Sequence, residues 1–193
     1  MPADGAGLIT KIFADSAAAH ERLLQSGLAS VIAAADAISR ATAGGGKLIA
    51  FGNGGSASDA QHLVAELVGR FERERRAVAA IDLTPDSNVV TAIANDYGYD
   101  VVFTRQIEAL GREGDVAFGI STSGRSRNVE LALASAKARG LVTIALTGRD
   151  GGPMGAAADI HINVPVTSTA RIQEVHRTLM HAMCSIIEAD IPA

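Results

Sequence analysis

The sequence predicts an α/β protein: a three-layer α/β/α sandwich around a parallel sheet of about five strands, with additional helices at the amino end. Three observations carry this expectation. Strand, loop and helix signals alternate along the chain with short connections. The runs IAFG, AAIDL, VAFGIS and VTIAL are apolar without clean polar alternation, as befits strands covered on both faces. Gly is abundant at 20 residues and Pro scarce at 5, a balance that favours close-packed helices and tight turns over disorder. With 193 residues, 48% of them hydrophobic, the chain can bury one sizeable core, so 1–193 is expected to be a single domain.

Taken in order, 8–42 is rich in Ala, Leu, Ile and Val and lacks Pro, with Ile12, Leu23, Leu24, Leu28, Val31, Ile32 and Ile38 at helical spacing. One or two helices are expected, broken at Gly27 and ended by Gly44-Gly45-Gly46. So Ala-rich a segment is expected to pack against the domain and against a partner subunit, making the protein a homo-oligomer. A strand over 47–51 runs into Gly52-Asn53-Gly54-Gly55-Ser56, the form of a ligand loop beyond the carboxyl end of a strand. GNGGSA has neither the dinucleotide spacing nor a Walker lysine, so no nucleotide cofactor is expected. The next helix, 58–71, carries Asp59, His62 and Glu66 on one face, either a solvated charged face or the wall of a cleft. Asp59, one turn before His62, either orients that imidazole or serves the helix dipole.

A second strand is expected over 78–83, then a helix opened by Thr84-Pro85-Asp86 that gives way to Asn95-Asp96-Tyr97-Gly98-Tyr99. Asn95 and Asp96 are placed either to bind sugar hydroxyls or to form an Asx turn. A helix over 101–110 precedes the strand 115–121. That strand delivers Ser121, Thr122, Ser123, Gly124 and Ser126 into a loop followed by the helix 126–139. Four hydroxyls, a glycine that lets the backbone turn, and the positive end of a helix dipole suit a phosphate dianion. The competing reading makes Ser126 an ordinary helix cap. Arg125 and Arg127 flank the loop, and solvent is the expected place for Arg127. Strands follow over 141–146 and 160–164, and a last helix over 169–189 stacks Gln173, Arg177 and His181 at intervals of four.

Composition excludes several functions. A net charge of -4, no Trp and 4% aromatics are poor for nucleic-acid binding, although Arg70, Arg73, Arg75 and Arg76 could form a local basic patch. The lone Cys184 rules out an intrachain disulfide, as fits a reducing compartment. No apolar run reaches the roughly 18 residues of a membrane span. The start MPADGAG lacks a secretion signal, so a soluble, cytoplasmic protein with no membrane partner is expected.

Four blocks in order, FGNGGSASDAQHLVAEL, ISTSGRSRN, LTGRDGG and RIQEVHRTLMH, resemble the phosphoheptose isomerases, sugar isomerase (SIS) fold enzymes that act on sedoheptulose 7-phosphate. The resemblance spans nearly the whole chain. It implies that Ser121, Thr122, Ser123 and Ser126 hold the sugar phosphate, with Asn53, Gly54 and Gly55 across the pocket and Asn95, Asp96 and Gln173 at the sugar chain. It further implies Glu66 as base, His181 as acid, and zinc between His62, Glu66, Gln173 and His181. Gln173 and His181 lie about 12 Å apart along one helix, so a shared ion would require bent side chains or an irregular helix. Homotetramers with active sites at subunit boundaries are also implied, as is a product, D-glycero-D-manno-heptose 7-phosphate, destined for lipopolysaccharide or capsule. The alternatives are an isomerase for another sugar phosphate, a sugar-phosphate sensor, and a protein that binds a replication initiator. An aldose–ketose isomerisation through an enediol needs an acid and a base, which Glu66 and His181 can provide.

Overall fold

The computed structural model describes residues 4–191. Five strands, β1 (Leu48–Gly52), β2 (Ala80–Asp82), β3 (Val116–Ser121), β4 (Val142–Gly148) and β5 (Ile160–Val164), form one sheet in the order β2-β1-β3-β4-β5. Every neighbouring pair is parallel, with Leu48 level with Val116 and Val116 level with Val142. Side-chain alternation divides each strand between two cores. Leu48, Ala50, Val116, Phe118, Ile144 and Leu146 point to one face, where α1 (Gly5–Ser26), α2 (Ala29–Ala43), α3 (Gly55–Val68) and α8 (Thr169–Ala189) cover them. Ile49, Phe51, Ala117 and Ala145 point to the other, under α4 (Ser87–Tyr97), α5 (Val102–Leu110), α6 (Arg127–Ala138) and α7 (Gly152–Ala157). The expected three-layer sandwich is therefore observed, and its apolar strands lack alternation because both faces are dry.

Gly27, at φ 93, separates the two amino-terminal helices as expected. These helices leave a row of apolar side chains uncovered, among them Leu8, Ile9, Ile12, Leu24 and Phe13, which is 73% exposed. Two local expectations are corrected, and one helix is added. Helix α3 begins at Gly55, because Gly54 at φ 57 turns the chain and Gly55 already lies in the helix. Helix α4 continues through Asn95, Asp96 and Tyr97, so these residues form its last turn and no Asx turn. The short α7, GPMGAA, carries too few apolar side chains to show a period, and its helical state comes from packing against β4 and β5.

The strand order reverses between β1 and β3. Their carboxyl ends form the switch point where an open parallel sheet offers a crevice, since α3 leaves β1 on one face and α6 leaves β3 on the other.

Candidate active site

The two glycine and hydroxyl loops meet at that switch point. Ser121, at the end of β3, lies 2.8 Å from Ser126 and 3.3 Å from Ser123, hydroxyl to hydroxyl. Gly124, at φ 65, closes the turn and donates its N–H to the Ser121 carbonyl at 3.1 Å. A Cβ there would collide with the Gly151 carbonyl, so the turn requires glycine twice over, for its backbone and for its space. Ser126 occupies the N-cap position of α6, yet its hydroxyl turns toward Ser121 and caps nothing. The cap reading is thereby set aside. Three hydroxyls face one another at a helix start, and Thr122 stands half-buried beside them.

Across the crevice Asn53 exchanges amide hydrogen bonds with Asn128, at 2.9 and 3.0 Å, and accepts the Tyr99 hydroxyl at 2.9 Å. Asn128, buried in the first turn of α6, and Tyr99 were both missed in the sequence. Nothing in an isolated Asn or Tyr says that it will tie two loops together across a sheet. Asn95 and Asp96 are exposed and bonded to each other at 2.9 Å, so the side chain that reaches the loop from this region is Tyr99. Arg125 and Arg127 face solvent, paired with Asp150 at 2.6 Å and Glu130 at 3.1 Å, and neither side chain bonds the hydroxyl loop.

The acid and base candidates lie on α3 and α8, which pack side by side and run in the same direction. Rungs join them: Gln173 lies against Gly55, Arg177 donates to Asp59 at 2.7 Å, and His181 meets His62. The Nε2 atoms of His62 and His181 are 2.8 Å apart, and a Glu66 carboxylate oxygen is 3.3 Å from His62 Nε2. Ligand atoms of His62, Glu66 and His181 all fall within 4.8 Å of one another, half-buried. Burial above all, with Arg177 and His181, lowers the His62 pKa against the pull of Glu66, leaving the neutral imidazole that can serve as a ligand. Two imidazoles and a carboxylate are a donor set suited to zinc.

Two expectations change on these helices. Asp59 is only 4% exposed and engages Arg177, so it neither lies on a solvated face nor orients His62. Burial pushes its carboxyl up, although Arg177 opposes the shift. Gln173 is separated from the His62, Glu66 and His181 cluster within one copy of the chain. It packs on Gly55, seven residues before His62, or about 10 Å along α3. A cavity of about 390 Å³ opens beside it, lined by Gly55, Ser58, Asp59, Gln173, Glu174 and Arg177. A cavity of about 500 Å³ lies among Arg40, Lys47 and Arg112 at the amino ends of the strands, away from all of this chemistry.

The arrangement has a further consequence. Glu66 lies eleven residues down α3 from Gly55, about 16 Å by helical rise, and α3 runs away from the hydroxyl loop. Between the two ends, Arg177 and Asp59 join α8 to α3 at 2.7 Å.

The sequence profile of the SIS domain matches residues 12–148. The chain is 54% identical over 154 residues to the phosphoheptose isomerase of Geobacter sulfurreducens, covering 80% of this chain and 82% of that one. It is 48% identical over 183 residues to the phosphoheptose isomerase of Halorhodospira halophila, covering 93% and 92%. Among solved structures, the phosphoheptose isomerase of Neisseria gonorrhoeae superposes with a TM-score of 0.89 at 45% identity, over 95% of this chain and 98% of the other. That of Francisella tularensis gives 0.90 at 37%, over 96% and 98%.

Proposed function

This chain belongs to the phosphoheptose isomerase family and is an aldose–ketose isomerase, and we propose that it converts sedoheptulose 7-phosphate to D-glycero-D-manno-heptose 7-phosphate. The observation that carries the residue assignment is the juxtaposition of Glu66, His62 and His181 on paired helices, in a chain whose Ser121–Ser126 loop gathers hydroxyls at a helix start.

Ser121, Thr122, Ser123 and Ser126 hold the phosphate, assisted by the dipole of α6. Asn53, Gly54 and Gly55 line the other side of the pocket, braced by Asn128 and Tyr99. Asn95, Asp96 and Gln173 contact the sugar chain. Glu66 removes the C1 proton, a proton passes from the C1 oxygen to the C2 oxygen, and His181 supplies the proton that arrives at C2. In the reverse direction the two groups exchange roles. His62, Glu66 and His181 would hold a zinc ion, joined by Gln173. Such an ion, when bound, polarises the sugar oxygens and stabilises negative charge on the enediol.

An extended heptose 7-phosphate reaches roughly 10 Å from phosphorus to C1, at about 1.25 Å per tetrahedral bond. The rise of about 16 Å along α3 from Gly55 to Glu66, with the Arg177–Asp59 pair between them, exceeds that length and supports a site that one chain does not complete alone. The active site is therefore assembled at a subunit boundary: the hydroxyl loop, Asn53–Gly55 and Gln173 come from one copy, and the His62, Glu66 and His181 cluster from another. Gln173 then joins the ligand set from across the boundary, which removes the need for a bent helix. The uncovered apolar row on α1 and α2 offers surface for such an assembly, proposed to be a homotetramer. Action in the cytoplasm on heptose destined for lipopolysaccharide or capsule follows from the same reading.

Incubation with sedoheptulose 7-phosphate and product analysis by NMR tests the reaction, and Glu66→Gln tests the base. The variant is expected to bind substrate and to lose turnover by a factor of about 100 to 10,000. No aldoheptose from the wild type would refute the substrate, and undiminished turnover in the variant would refute the base.

A further inference from the structure

Glu66 sits in the last turn of α3, two residues before its end at Val68, where backbone carbonyls have no helical partner and the helix is free to fray. A catalytic carboxylate at a fraying end needs an external hold. The structure supplies one in a buried ion pair from the loop after α3 and the end of α8. Arg75 and Glu188 have side chains only 1% and 3% exposed. Arg75 Nε lies 3.2 Å from a Glu188 carboxylate oxygen, an ion contact without hydrogen-bond alignment. The rest of the guanidinium caps the helix: it donates to the Glu66 carbonyl at 2.6 Å, to Leu67 at 2.8 Å and to Gly69 at 3.1 Å. A cation at this end also complements the helix dipole.

Glu188 works on the adjoining segment. Its carboxylate accepts the backbone N–H groups of Phe71, Glu72 and Arg73 at 2.8, 3.0 and 3.1 Å, and Arg73 also reaches the Glu188 carbonyl through its side chain. These bonds fix Phe71, whose ring packs on His181 with centroids 5.3 Å apart and planes tilted by 31°. One buried pair thus holds the backbone of the base and the ring that supports the acid.

We propose that Arg75 and Glu188 are positioning residues for the isomerisation, registering Glu66 and His181 against each other through the α3 end and Phe71. The proposal rests on the reading of Glu66 as base. A buried pair of this kind need not add net stability over apolar residues of the same volume, whereas loss of one partner strands a buried charge. Its hold on two elements of the site is the feature that a merely stabilising pair would not require.

The test compares Arg75→Lys and Glu188→Gln with Glu66→Gln and with Asp115→Asn. Asp115 is buried at the opposite end of the sheet, where it accepts from Lys47 at 2.6 Å, so its replacement lowers stability without touching the site. Arg75→Lys and Glu188→Gln are expected to lower kcat roughly tenfold to a hundredfold. KM should change less than about twofold, because the phosphate loop is untouched. Asp115→Asn, compared at a similar fall in Tm, should keep wild-type kcat. Phe71→Leu leaves the ion pair intact and is expected to lower kcat several-fold with little change in Tm, which keeps the question answerable if the charge variants do not fold. Loss of kcat in Arg75→Lys and Glu188→Gln no greater than in Asp115→Asn, or a wild-type kcat in Phe71→Leu, would overturn the proposal. Undiminished turnover in Glu66→Gln has a different signature: it removes the base and, with it, this role.

Discussion

Two inactive variants should restore each other if the active site is shared between subunits. The perturbations are Ser121→Ala with Ser126→Ala, which removes two of the four hydroxyls of the loop, and Glu66→Gln, which removes the base. Loss of two hydrogen bonds to a phosphate dianion costs about 1.5–3 kcal/mol each, so the loop variant should lose a hundredfold to ten-thousandfold in kcat/KM. Gly55 and Glu66 lie about 16 Å apart along α3, and on the shared-site proposal each site draws its loop from one copy and its cluster from another. In a random mixture of equal parts, half of the loops and half of the clusters are intact, and about one quarter of the sites combine both. Co-expression with distinguishable tags, native mass spectrometry to establish mixed oligomers, and a sedoheptulose 7-phosphate turnover assay would measure this. Recovery near a quarter of wild-type activity is expected. Activity no higher than the mean of the separate variants, in a population shown to be mixed, would refute the split site and return loop and cluster to one chain.

Gly124→Ala should cost about 1–2 kcal/mol for its left-handed backbone alone, with the collision at Gly151 added, and should raise KM for the sugar phosphate; an unchanged KM would detach this turn from phosphate binding. Elemental analysis should find about one zinc per chain in the active enzyme and none in His62→Gln, and full turnover after chelation would confine the ion to a structural part. His176 is buried in the core, donating to the Thr147 carbonyl at 2.9 Å, and burial lowers its pKa to about 4 despite that bond. The unfolded chain therefore binds a proton near pH 6.5 that the folded chain refuses, so this group's stabilisation is complete above pH 6.5 and is lost as pH falls toward 4. Between pH 7 and pH 5 it should remove about 2 kcal/mol from the unfolding free energy in urea. His176→Gln should flatten that slope, and an equal slope in the variant would assign the effect elsewhere.

Much of the fold was legible because its signals are local. Apolar runs without alternation report strands dry on both sides, and Gly or Ser closes two of them at their observed ends, Gly52 and Ser121. Helix α8 was placed at its observed limits, 169–189, because its apolar stripe is long and uninterrupted. The misses have local causes as well. Gly54-Gly55 looked like loop, although Gly55 begins a helix, and Asn95-Asp96 looked like a turn, although packing prolongs α4 through them. The hydroxyl loop was legible because all its groups lie within six residues, Ser121 to Ser126, so chain geometry alone brings them together.

By itself the sequence determined the class of the fold, the gathering of hydroxyls at Ser121–Ser126, and the helical faces that carry His62, Glu66 and His181. All three follow from periodicity or from neighbours in the chain. Tertiary structure alone decided which side chains meet across elements. It paired Asp59 with Arg177, tied Asn53 to Asn128 and Tyr99, joined His62 to His181, and buried Arg75 with Glu188. It also decided that Gln173 lies beside Gly55 at the start of α3 while Glu66 lies near its end. The physical reason is that a sequence fixes the spacing within each helix, whereas the register between α3 and α8 is set by how both pack on the same face of the sheet.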